Sequence, residues 1–93
     1  MVYIVALLMD DLDVSLIYAS RQLQQALAVA AEDQGVLLMF NYPHHLQNFF
    51  ALISISDGDI ICEGIDPSFD VLVQQKNNLE NKNAHHIIAS AWL

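Results

Sequence analysis

Three segments of this chain are apolar at nearly every position, and they restrict its possible folds more than any other feature. They are residues 2–9 (VYIVALLM), 36–40 (VLLMF) and 84–93 (AHHIIASAWL). Successive side chains of a strand point to opposite faces, so each segment as a strand would place apolar residues on both faces. Strands of this kind are usually buried on both sides. The sequence therefore predicts a sheet that must be covered on each face.

The length and composition predict one domain that spans residues 1–93. The chain has 93 residues, of which 55% are hydrophobic. Its apolar run at residues 2–9 is much shorter than the roughly 20 residues of a membrane-spanning helix and lacks the basic start of a secretory signal. The single Cys62 cannot form an internal disulfide, which fits a reducing compartment. We therefore expect a cytoplasmic protein without a membrane span.

The charge is strongly acidic and limits the possible partners. Eleven acidic residues stand against only Arg21, Lys76 and Lys82, which gives a formal net charge of −8. Three scattered cations cannot form the basic surface that binds nucleic acid, and the same charge repels anionic membranes. The composition predicts no direct nucleic-acid or membrane binding and favours a basic protein partner, although solubility alone also explains the charge.

The first half of the chain predicts a strand, a helix and a strand. After residues 2–9, Leu12, Leu16, Ala19, Leu23, Leu27 and Ala30 recur every three or four residues, as on one face of an amphipathic helix. Asp11 or Asp13 is the expected N-cap, and Gly35 the expected left-handed end. Residues 36–40 return to the strand pattern.

The second half predicts a loop, a hairpin, a helix and a strand. Residues 41–48 are expected to form a loop that leads into a strand over 49–56, followed by a DGD turn at residues 57–59 and a short strand over 60–63. Asp66 as N-cap and Pro67 in the first turn predict a helix to about Asn81. Residues 84–93 form the last strand. We find no internal repeat in the sequence.

This order predicts an α+β, ferredoxin-like fold of the type βαββ(β)αβ, with two helices on one face of an antiparallel sheet. Two helices cover only one apolar face, so the other face is expected to be buried in a homodimer. The alternative is that residues 43–51 form a third helix.

Acidic residues at the two predicted turns are the candidate binding residues. They are Asp10, Asp11, Asp13, Asp57, Asp59 and Glu63. No metal site is predicted, because the adjacent pairs His44–His45 and His85–His86 do not have zinc-ligand spacing and on a strand each pair would offer one ligand to a site. The sequence predicts a buried structural Cys62, and it places Trp92 in a core or an interface.

The stretch ALLMDDLDVSL, residues 6–16, resembles the first motif of the haloacid dehalogenase family of phosphatases. The resemblance implies Asp11 as nucleophile and Asp13 as general acid/base beside Mg²⁺. It covers about a dozen residues, and Lys76 and Lys82 both follow the stretch SDGDIICE, whereas the family's lysine precedes its second acidic motif.

The favoured function is a small, acidic, non-catalytic module for protein–protein interaction or regulation that binds no cofactor. No nucleophile, base and orienting group fall together in the sequence, and there is no glycine-rich phosphate loop. The alternative is a dimer that senses a small molecule, and a minimal Mg-dependent phosphatase is the third interpretation.

Overall fold

The computed structural model describes residues 1–10, 13–45, 47–79 and 84–93, with the backbone alone described at Asp10. Along the chain the elements are β1 (Val2–Asp10), β2 (Asp13–Ser20), α1 (Leu23–Asp33), β3 (Val36–Phe40), β4 (Asn48–Ser56), β5 (Asp59–Asp66), α2 (Phe69–Asn78) and β6 (His85–Trp92). The protein is therefore of the α+β class.

The strands form two three-stranded antiparallel sheets. β1 lies between β2 and β3 in the first sheet, and β4 lies between β5 and β6 in the second. The two sheets pack against each other, with β2 beside β6 and β3 beside β5. α1 packs on the first sheet and α2 on the second. Each sheet thus has the other sheet on its inner face and its own helix on its outer face.

The core lies between the sheets and is built from alternate strand residues. Its buried members are Val2, Ile4, Ala6, Val14, Ala19 and Leu38 from the first sheet, with Phe49, Ala51, Ile53, Ile55, Ile65 and Ala91 from the second. This alternation is what the pleat of a strand requires when one face is buried. Transfer of these side chains from water is the main term that holds the two sheets together.

The two halves of the chain repeat one arrangement, ββαβ, that the sequence did not reveal. Each half has a bulge at the same point of its first hairpin, with Ile17 as the extra residue in one and Glu63 in the other. Each helix buries its fourth residue, which is Ala26 in α1 and Leu72 in α2. The inner faces of the two halves cover each other, as two copies of one unit would.

The ferredoxin-like prediction is corrected by this topology. It placed two helices on one face of a single sheet, whereas the structure has two sheets with one helix on each. The apolar sheet face that a second copy was expected to cover is covered by the other half of the same chain. The sequence correctly predicted that these apolar residues form buried strands. It did not predict which surface covers them.

The predicted helix from Leu12 is wrong in its first part, because residues 13–20 form β2, whereas its second part is confirmed as α1 from Leu23. The bulge at Ile17 brings Leu16 and Ala19 to the same inner face although they are three residues apart. A spacing of three residues imitates the helical period. The three-residue spacing therefore does mark a buried face, but the face belongs to a bulged strand and not to a helix.

The predicted N-cap, Asp11 or Asp13, is also wrong, because α1 begins at Leu23 and its N-cap is Gln22. Asp11 lies outside the described residues, and Asp13 begins β2, where its Oδ1 accepts a hydrogen bond of 2.9 Å from the Val14 amide. The helix does end where predicted, but its left-handed residue is Gln34, with φ 56°. Gly35 is needed for another reason: an added Cβ would lie 2.6 Å from Val5 Cγ1.

The predictions for the second half are largely confirmed. The turn at Asp57 and Gly58 has φ values of 51° and 84°, the left-handed pair that a two-residue hairpin turn prefers. The N-cap of α2 is Ser68 and not the predicted Asp66, which ends β5. The Asp66 carboxylate instead accepts a hydrogen bond of 2.8 Å from the Ser68 amide. The helix ends at Asn78, and the predicted end at Asn81 lies outside the described residues.

Candidate functional site

Of the six candidate residues, the structure places Asp10 and Asp13 at the end of the β1–β2 hairpin, and Asp57, Asp59 and Glu63 at the β4–β5 hairpin. Asp10 ends β1 opposite Asp13, the first residue of β2. Asp13 is exposed, and its carboxylate accepts a local hydrogen bond from the Val14 amide. Asp11 lies outside the described residues.

The other three candidates, Asp57, Asp59 and Glu63, lie together. They line a shallow depression of about 280 Å³ on the outer side of the β4–β5 hairpin, which we call the acidic depression. Among the described residues, its lining consists of Ser54, Ser56, Asp57, Asp59, Ile61 and Glu63. The sequence predicted the three carboxylates of this site but neither the apolar residue nor the serines among them.

The hairpin explains why these residues meet. The left-handed turn at Asp57 and Gly58 reverses the chain and holds Asp57 at the tip. Alternation then carries Asp59 and Ile61 to the outer side of β5. Glu63, the bulge residue, follows on the same side of the depression. The signal for this arrangement was present in the sequence as the alternation of residues 59, 61 and 63.

The acidic depression combines negative charge with an exposed apolar surface. Ile61 exposes 52% of its surface among three carboxylates, and the Ser54 side chain forms part of the buried floor. Lys and Arg side chains combine a charged end with an apolar stem, so they match carboxylates that surround an isoleucine.

Cys62 lies next to this surface but points inward, as the sequence predicted. It packs against the core between the sheets, and its Sγ is 3.5 Å from the carbonyl oxygen of Gly64. Burial, which outweighs the opposing hydrogen bond to Gly64, raises the pKa of the Cys62 thiol to about 11, and the nearby Glu63 charge adds to the rise. A thiol held protonated in this way is a poor nucleophile.

The histidines lie apart in two pairs. His44 and His45 are in the segment between β3 and β4, and His85 and His86 are the first two residues of β6. His85 pairs with Ile55 and His86 with Ser54, so the two point to opposite faces of the sheet. Within the described residues, no three His, Cys, Asp or Glu side chains come close enough to hold a metal ion.

Trp92 is neither in the core nor covered by a described part of this chain. It exposes 70% of its surface at the end of β6, beside a groove lined by β2 residues. The sequence placed Trp92 in a core or an interface, and the core is excluded because the side chain lies on the outward face of β6.

Comparisons with protein-family models, with curated proteins and with solved structures find no match for this chain. Neither helix in the described part of the chain has the length and apolar character needed to cross a membrane.

Proposed function

We propose that this protein is a small, acidic, non-catalytic module that binds a basic protein partner through the acidic depression. The observation that carries the proposal is the placement of Asp57, Asp59 and Glu63 around the exposed Ile61. A lysine or arginine of the partner would lay its stem on Ile61 and its charged end among the carboxylates. The acidic depression would then form the centre of a larger contact.

The charge of the whole chain supports the same kind of partner. A formal net charge of −8 creates a field that attracts basic surfaces and raises their rate of association, most strongly at low salt. The field alone does not select a site, since acidic side chains also lie on the helices. A defined site requires carboxylates next to a surface that can exclude water, and exposed Ile61 supplies that surface.

A pair of matched triple variants tests the site. The probe is a short synthetic peptide of lysine and leucine, and its binding is measured by fluorescence anisotropy in low and high salt. Asp57→Asn, Asp59→Asn and Glu63→Gln are combined in one protein, and Glu32→Gln, Asp33→Asn and Asp70→Asn in the control. Both proteins have the same net charge. Asn tolerates the left-handed conformation of residue 57, so the turn is retained.

We expect the first variant to bind the peptide roughly tenfold more weakly than the control, because three exposed ion pairs of about 0.2–1 kcal/mol each are lost. High salt should weaken the binding of both proteins. Equal affinities of the two variants would show that net charge alone attracts the peptide, and the proposed site would be wrong.

A homodimer is part of the proposal, but on a different surface from the one the sequence suggested. The inner sheet faces are already covered, so a second copy would have to use the outer side of the molecule. There Met9 and Met39 on the first sheet expose 59% and 57% of their surfaces. Sedimentation velocity at micromolar concentration tests this: a single species of one subunit would exclude the dimer and leave the acidic depression untouched.

We further propose that the module acts in the cytoplasm, where its single thiol stays reduced. Cys62 is a free cysteine that packs against the core, so it needs no oxidised partner for stability. Localisation of a fluorescent fusion in cells of the source organism would test this proposal.

A further inference from the structure

A groove follows the seam where the edge strands β2 and β6 of the two sheets meet. Ile17 and Tyr18 line it on one side and Ala91 and Trp92 on the other, around a volume of about 250 Å³. Leu93 belongs both to this lining and to that of a second recess of about 470 Å³, which Arg21, His45 and Gln47 also line. We call the two together the seam groove. One end is apolar and the other carries a cation.

The fold does not require apolar residues at this end of the groove. This can be seen by comparing the seam between β2 and β6 with the equivalent seam of the repeat. The second seam, between β5 and β3, is formed by the equivalent strands of the other halves. At the bulge, Ile17 corresponds to Glu63. When the halves are aligned on their bulges, Val2 corresponds to Phe49. Val2 pairs with Phe40 and Phe49 pairs with Ala91, so Trp92 corresponds to Asn41. The same architecture thus tolerates polar residues where this seam has an isoleucine and a tryptophan.

These two side chains are also available for contact. Ile17 exposes 38% of its surface and Trp92 exposes 70%, while the small Ala19 and Ala91 between them are buried. Alanines on the floor leave space that larger side chains would fill. An exposed tryptophan beside an apolar recess is a side chain that frequently anchors ligands, because its large surface becomes buried on binding.

The cationic end is held in place by the segment that joins the two halves. Arg21 Nη1 donates to the carbonyl oxygen of Tyr42 at 2.9 Å, and Nη2 donates to that of His44 at 2.6 Å. Both acceptors are neutral, so these bonds orient the guanidinium without neutralising its charge. Arg21 is the single arginine of the sequence, and it keeps N–H groups that can bind a carboxylate.

We propose that the seam groove binds a small organic acid that has an apolar, preferably aromatic, body and one carboxylate. The carboxylate lies at Arg21 and the body packs on Ile17 and Trp92. An anion without such a body would bind weakly, because the net charge of −8 opposes its approach and no apolar contact compensates for this repulsion. The apolar contact supplies affinity and Arg21 supplies selectivity. This site is separate from the acidic depression and does not depend on it.

Trp92 is the single tryptophan of the sequence and therefore reports directly on the groove. The probe is 3-phenylpropionate, with 3-phenylpropionamide as the uncharged ligand of the same shape. We expect a saturable change in tryptophan fluorescence and a rise in melting temperature with the acid, and roughly tenfold weaker binding of the amide, which cannot form the charge-assisted contact.

Two variants and one control locate the binding. Arg21→Gln should bind the acid as weakly as the unmodified protein binds the amide. Ile17→Glu should weaken both ligands, and the fold should tolerate it because Glu63 occupies the equivalent bulge. Val71→Glu adds the same charge at an exposed apolar position of α2 and should bind the acid as the unmodified protein does.

No saturable change with either ligand at millimolar concentration would overturn the proposal. So would equal affinities for acid and amide, or an equal loss in Ile17→Glu and Val71→Glu. Even if Arg21→Gln does not fold, the comparison of acid with amide and of Ile17→Glu with Val71→Glu still decides the question.

Discussion

Ala26 in α1 and Leu72 in α2 occupy the same position in the two halves of the chain, and each is the fourth residue and the buried residue of its helix. Both are 0% exposed, although one side chain is a methyl group and the other an isobutyl group. The two helices therefore pack on their sheets at the same point but with different volumes between helix and sheet. Leu72 therefore buries more apolar surface beneath α2 than Ala26 buries beneath α1.

Leu72→Ala should consequently destabilise the protein by about 2–5 kcal/mol, because it removes a fully buried side chain and leaves a cavity under α2. Chemical denaturation measures the change in the free energy of unfolding. Val71→Ala, an exposed neighbour on the same helix, is the control and should cost less than about 1 kcal/mol. Similar losses for the two variants would contradict the packing described for α2.

Gly35→Ala should lower the free energy of unfolding more than Gly64→Ala does. At residue 35 a Cβ would lie 2.6 Å from Val5 Cγ1 and 3.1 Å from the Ala6 carbonyl oxygen, and neither the branched side chain nor the backbone can move freely. We expect a loss of about 1–3 kcal/mol, as for overpacking of a core. At residue 64 the close atom is the end of the flexible Gln75 side chain. Thermal unfolding of both variants would show whether the predicted order holds.

Ser20 and Asp66 fix the chain at equivalent points before the two helices. The Ser20 hydroxyl oxygen accepts a hydrogen bond of 3.0 Å from the Gln22 amide, as the Asp66 carboxylate does from the Ser68 amide. Ser20→Ala and Asp66→Ala should each destabilise the fold by about 0.5–2 kcal/mol. Asp66→Asn keeps an acceptor oxygen and should retain most of the stability. Identical unfolding curves for Asp66→Ala and the unmodified protein would disprove this role.

Alkylation of Cys62 should show its raised pKa. The pKa rises from 9.0 to about 11, so the native thiolate fraction near neutral pH is about a hundredfold smaller than in the unfolded chain. The rate of reaction with iodoacetamide should therefore rise with pH up to about 11 in the native protein and level off near 9 in denaturant. A native midpoint near 9 would show that Cys62 is not desolvated.

The same shift makes stability depend on pH. The native state holds the proton more tightly than the unfolded state, so this contribution is fully present below pH 9.0 and is lost as the pH rises towards about 11. Between these values, the unmodified protein should lose more stability than Cys62→Ala, which has no thiol to titrate. Parallel losses in the two proteins would mean that other groups cause the whole effect.

Local patterns predicted those parts of the fold that local chemistry decides. The DGD turn at residues 57–59 has the glycine that a left-handed turn prefers, and the structure contains the expected hairpin. The apolar segments at residues 2–9 and 36–40 are strands. The wrong helix at the start of β2 has an equally local cause, since the bulge at Ile17 shifts the alternation by one residue and produces a helical spacing.

The repeat escaped detection because equivalent positions share a requirement for burial and not a residue type. Val2 corresponds to Phe49, and Leu16 corresponds to Cys62, when the halves are aligned on their bulges. Close packing requires only that the side chains of the two sheets together fill the space between them. A large side chain in one half can therefore compensate for the volume of a small one in the other. Such pairs leave little trace in a comparison of sequences.

The sequence alone determined which segments are apolar strands, where the second hairpin turns, and that its acidic tip carries three neighbouring carboxylates, because these properties depend on residues close together in the chain. Three relationships followed only from the folded chain: the two sheets cover each other, Ile61 lies among those carboxylates, and Arg21 shares a groove with Trp92. These relationships depend on which strand edges meet, and strand pairing between distant segments is selected by the burial of the whole core.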